Sequence, residues 1–122
     1  MSAETFFLRF VAGEPAALDL DRFRRVVEPY VAAGSVDAGE VLLRAEDGSE
    51  AEFHVSTGES GGAVTSLTAM HIARGAVLDV VGRVADALGA VILPVGGPAR
   101  IRHEDERRHL PPELRDEAVV RS

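Results

Sequence analysis

ARGAVLDVVGRVADALGAVILPV, residues 73–95, carries two secondary-structure signals back to back. Ala73, Val77, Val80, Val81, Val84 and Leu88 recur on one helical stripe, with Arg74, Asp79, Arg83 and Asp86 opposite. Gly89 stands where a helix C-cap belongs. AVILPV, residues 90–95, then reads as a continuous apolar run suited to a buried central strand. Gly75 and Gly82 each cost about 1 kcal/mol of helix propensity relative to Ala, so the packed stripe has to hold this helix. A helix that delivers its chain into a buried strand needs a sheet for that strand to enter.

The rest of the chain supplies one. TFFLRFVAG, residues 5–13, alternates Phe6, Leu8 and Phe10 against Phe7, Arg9 and Val11, a strand with one strongly apolar face. A first helix is expected over about residues 19–32, capped by Asp19 or Asp21, with Phe23, Val26, Val27 and Tyr30 on one side. Pro29 kinks or ends it, and Gly34 is a stop signal. VLLRA (41–45) and EAEFHV (50–55) flank an Asp47-Gly48 hairpin turn, and VTSLTAMHI (64–72) follows as a β-branched run. The resulting order, β-α-β-β-β-α-β, predicts an α+β domain. About five mainly antiparallel strands carry two helices on one face, a ferredoxin-like (split β-α-β) variant. Right-handed crossovers place the first and last strands side by side. Residues 1–99 form this domain, and residues 100–122 form a charged C-terminal extension docked on it, with a short helix around 103–109 and a turn begun by Pro111-Pro112.

One stretch invites a chemical reading. STGESGGAVT, residues 56–65, resembles the segment around a protease nucleophile and has the glycine density of a phosphate loop. The 59 residues before Ser60 leave no room for the two barrels of a chymotrypsin-like protease. A phosphate loop needs a strand-to-helix setting and a lysine, and this stretch joins two strands. It reads as a connector.

Composition excludes further chemistries. The chain has 122 residues and no Lys, Asn, Gln, Cys or Trp, so all 13 basic residues are Arg. Disulfides, thiolate metal sites, Schiff-base lysines and P-loop lysines are therefore absent. Net charge is −7; residues 100–122 balance six Arg against six acids, so the negative excess lies in residues 1–99. Such a surface repels phosphate backbones and welcomes a basic protein partner. No apolar run reaches membrane-spanning length, and the start lacks a signal-peptide pattern, so a cytoplasmic protein with no nucleic-acid or membrane partner is expected.

Candidate binding residues follow from the sheet faces. Glu50, Glu52 and His54 share the polar face of their strand, and His71 ends the next one. If those strands pair, the group forms a His/Glu cluster on one sheet face. No tight ligand spacing accompanies it, so neither a metal nor a cofactor nor a catalytic set is assigned. Phe7 and Arg9 lie on the face opposite Phe6, Leu8 and Phe10. With both helices on one side, Phe7 and Leu42 need covering by the C-terminal tail, a second subunit or another protein.

LGAVILPVGGPARIRHEDERRHLPPEL, residues 88–114, resembles the C-terminal pattern of small single-domain proteins from high-GC actinobacteria. Some of those are similar to immunity proteins of polymorphic toxin systems. The shared features are a buried strand after the second helix, a Gly-Pro turn, a charged segment and a closing Leu-Pro-Pro-Glu-Leu, about a fifth of the chain. The resemblance implies a small acidic α+β protein that binds and occludes a partner, and it transfers no site residues. Two functions remain open, beside a third possibility in which the chain is a structural subunit of a larger assembly. One is a non-enzymatic interaction domain acting through an acidic surface and a sheet face or edge. The other is a dimeric α/β-barrel enzyme or small-ligand binder, with Phe7, Arg9, His54 and His71 lining a cavity between paired sheets.

Overall fold

Phe53 sits at the centre of the core, with its ring 5.4 Å from Phe7 and 5.5 Å from Phe23, centroid to centroid. Tilted aromatic contacts of this kind add about 0.5–1.5 kcal/mol each beyond the area they bury. They join the three parts of the molecule: a first strand, a first helix and a central meander. The computed structural model describes residues 4–57 and 64–120.

The chain is α+β with a mostly antiparallel sheet. Strand β1 (Thr5–Val11) turns into the short β2 (Glu14–Ala16). Helix α1 (Leu20–Val27) follows, its N-terminus capped by the Asp19 carboxylate, which accepts from the N–H groups of Asp21 and Arg22. A 3₁₀ turn, Glu28–Tyr30, leads into β3 (Val31–Ser35). Strands β4 (Glu40–Arg44), β5 (Glu50–Thr57) and β6 (Val64–Met70) continue the meander. Helix α2 (Val77–Leu88) ends on Gly89 at φ 62°, a left-handed cap, and feeds β7 (Val91–Pro94). Strand β8 (Arg100–Ile101), a 3₁₀ turn at Glu104–His109, α3 (Pro112–Arg115) and β9 (Val119–Val120) complete the chain.

The strands run in the order β3-β4-β5-β6-β1-β7-β8-β9, with β2 attached to β1. β1 lies between β6 and β7 and is antiparallel to both. Both long helices cover one face, where Phe23 and Val27 of α1 and Val77, Val80, Val84 and Leu88 of α2 meet Leu43, Phe53 and Leu67 of the sheet.

Several expectations are corrected. Among the described residues the sheet has nine strands rather than about five. The additions are β2, β3, β8 and β9, each of five residues or fewer and too brief for a periodic signal. The first helix stops at Val27, because Pro29 cannot donate the next hydrogen bond, and residues 31–35 emerge as a strand. The second helix begins at Val77, because Gly75 adopts φ 140°.

Phe7 is the most consequential correction. It is 0% exposed and lies on the helix side, paired laterally with Leu67 and Ile92. Phe6, Leu8 and Phe10 therefore point to the other face. There a second cluster, Val91, Ala99, Ile101, Leu110 and Ala118, packs with Leu8, Phe10, Leu93 and Leu114. The C-terminal segment thus covers the outer face at the β1–β7 end. It is tied to the β1–β2 turn, where Gly13 N–H donates to the His109 carbonyl at 2.8 Å and Ala12 N–H to His109 Nδ1 at 3.1 Å.

Candidate functional site

The outer face away from the C-terminal segment remains open. Antiparallel partners stand side by side on one face, so the register builds rows across the sheet. One row runs Ser35, Glu40, His54, Thr68, Phe6 and Leu93. The next runs Ala33, Leu42, Glu52 and Met70. Arg44 stands opposite Glu50, and their side chains form an ion pair at 2.6 Å.

His54 occupies the centre of this face. Its Nδ1 is 3.3 Å from Glu40 Oε1, and its Nε2 is 3.8 Å from Glu52 Oε2. The two carboxylates are thus brought to either side of one imidazole by the alternation of β4 and β5. Among the described residues no group of three or more His, Asp, Glu or Cys side chains is arranged to hold a metal ion. Beside His54 lies a shallow depression of about 220 Å³, lined by Ala33, Gly34, Leu42, Glu40, Glu52 and residues between them. It exists because Ala33 and Gly34 supply no bulk above Leu42.

Strand β3 forms the margin of this depression and the edge of the sheet. Among the described residues it pairs with β4 alone, and all five of its residues are exposed. It carries no charged side chain. A bulge falls between Val31 and Ala33. At Gly34, φ is 74° and an added Cβ would collide with the Glu40 carbonyl oxygen, so this position requires glycine.

The sequence candidates divide. Glu50, Glu52 and His54 share the outer face, and Glu40, which completes the group, was missed because its strand was started at residue 41. Arg9 is exposed but belongs by alternation to the helix side, beside the end of α2 near Gly89. Phe7 is buried and offers no surface. His71 is exposed beyond the end of β6 on a left-handed backbone, φ 53°, while the register sets Thr68 beside His54. The two histidines do not form one cluster. Ser60 and the rest of residues 58–63 lie outside the described residues. The β3 edge was also missed: Val31 and its small neighbours give five residues with no alternation to read.

No family model, curated protein or solved structure matches this chain. Among the described residues no helix is long and apolar enough to cross a membrane.

Proposed function

We propose that this chain is a non-enzymatic protein-interaction domain that binds a partner protein through the β3 edge and the adjoining acidic outer face. The observation that carries this reading is the exposure of all five β3 residues on a strand with one neighbour among the described residues. An edge strand of this kind is a template for another chain, and proteins that have no use for it usually blunt it with charge or cover. The net charge of −7 favours a partner with a basic surface. Acting by occlusion, in the manner of an immunity protein, and residence in the cytoplasm belong to the same reading. So does a ferredoxin-like (split β-α-β) arrangement of the β1–α1 and β6–α2–β7 connections, supported by the pairing of β1 with both β6 and β7.

The alternative, a dimer enclosing a catalytic or ligand cavity lined by Phe7, Arg9, His54 and His71, draws no support from the side-chain arrangement. Phe7 faces the helices, and Arg9 and His54 lie on opposite sides of the sheet.

The test is affinity capture from the source cell with the intact chain and with Ala33→Lys. Ala33 is exposed, so the lysine changes the edge with little effect on folding. A partner retained by the natural chain and lost by the variant supports the reading. A partner held equally by both rejects the edge as the binding surface.

A further inference from the structure

Ser35 and Ala33 begin the two rows that pass through Glu40 and His54 and through Leu42 and Glu52. We propose that the β3 edge accepts an extended segment of the partner as an added strand. One arginine or lysine of that segment lies across Ala33 or Ser35 and sets its cationic head against Glu40 and Glu52. This inference rests on the protein-binding reading above and names the chemistry of the segment bound.

The backbone supplies the first part. β3 has β4 on one side and no described strand on the other, so an incoming strand completes the ladder. The bulge between Val31 and Ala33 disturbs the start of β3, whereas Ala33, Gly34 and Ser35 pair with β4 in unbroken register across the left-handed Gly34, so the added strand is expected at that end. That end is the one beside Glu40.

Side-chain size supplies the second part. Neighbouring strands lie about 4.8 Å apart, so an added residue opposite Ser35 is about 10 Å from Glu40, with only the serine between. A long side chain bridges that gap, whereas a short one cannot. In the adjacent row Leu42 forms an apolar floor under the depression, fit for an aliphatic stem, and Glu52 stands beyond it.

Charge supplies the third part. The face carries Glu40 and Glu52 with His54 between them, and Arg44, in the next row of the same face, is engaged by Glu50. A second copy of this chain is a poor occupant, since it brings the same −7 charge and an edge strand with no cation on it. A basic extended segment satisfies both backbone and carboxylates.

The probe is a short peptide alternating valine with arginine, and its control carries citrulline at the arginine positions. Binding to the isotopically labelled full chain is followed through backbone amide shifts at low and high salt. The expected result is perturbation of Ala33–Ser35 and of Glu40–Leu42, with affinity about tenfold higher for the arginine peptide, as for a charge-assisted hydrogen bond. The double variant Glu40→Gln, Glu52→Gln should erase that preference. Ala33→Lys, which places the chain's own cation in the depression, should do the same, so the test survives if the double variant misfolds. Equal binding of both peptides at β3 would overturn the basic side chain while leaving the edge reading intact. Shifts confined to other acidic surfaces would overturn the inference. So would no binding of either peptide, and then retained, Ala33-dependent capture of a partner would still stand for the broader reading.

Discussion

Asp47, in the turn between β4 and β5, accepts the backbone N–H of Ala76 at 2.9 Å, twenty-nine residues further along the chain. Ser49 Oγ, from the same turn, accepts the N–H of Val77 at 3.0 Å. Helix α2 has no side-chain cap of its own, so its first free N–H groups are satisfied by a hairpin rather than by the residues before it. The hairpin that carries Arg44 and Glu50 to the outer face is thereby locked to the helix layer on the inner one.

This cap predicts an acid limb of the stability curve. The Asp47 carboxyl is lowered from an ordinary 3.8 to about 2, first by the Ser49 hydroxyl and then by the Ala76 and Ser49 N–H groups. Its folded-state value lies below its unfolded one, so the contribution is complete above pH 3.8 and is lost as pH falls toward about 2. Thermal melts of Asp47→Asn should lack that part of the acid dependence. Ser49→Ala should cost about 0.5–2 kcal/mol at neutral pH, the range for a lost N-cap, measured by urea unfolding.

Two glycines in one helical region should respond with opposite sign. At Gly75, φ is 140° and an added Cβ would stand 2.5 Å from Asp47 Oδ2 and 2.8 Å from Ser49 Oγ. Gly75→Ala should therefore destabilise by about 1–3 kcal/mol or more and disturb the cap. Gly82, inside α2, has nothing within 4 Å of the same added atom. Gly82→Ala should stabilise by up to about 1 kcal/mol. Paired denaturation curves check both.

Phe53→Ala should cost about 3–5 kcal/mol, since it empties the position between Phe7 and Phe23. Phe7→Ala should fall in the same range, where a surface-facing Phe7 would give almost nothing. Chemical denaturation separates the two cases at once.

The C-terminal segment should detach before the core unfolds. Leu110 is buried at its centre, and Arg107 braces the segment internally by donating to the Arg115 carbonyl at 2.6 Å. Leu110→Ala should cost about 2–5 kcal/mol locally. Amide exchange should speed up at Gly13 and Val119, whose N–H groups bond to His109 and Ala99 carbonyls, while amides beside Phe53 stay protected. Equal acceleration everywhere would mean that the segment and the core open together.

Local signals in the chain determined the helix over Val80–Leu88, its Gly89 cap, the Asp47-Gly48 hairpin and the alternation of Glu50, Glu52 and His54, because each depends on residues a few positions apart. They could not determine which face of β1 is buried. TFFLRFV has its more apolar side at Phe6, Leu8 and Phe10 but carries a phenylalanine on each side, and the helix face fell to Phe7 because its row meets Leu67 and Ile92 under the helices, while the C-terminal segment covers Leu8 and Phe10. The β3 edge was equally silent: VAAGS becomes a strand through pairing with β4, after Pro29 stops the helix. The meeting of Glu40, His54 and Glu52 required the register of two strands, and register is set by the packed inner face, where Val41 stands beside Phe53. What lies close in the chain is legible from periodicity; what lies close in space waits on which apolar surfaces find one another.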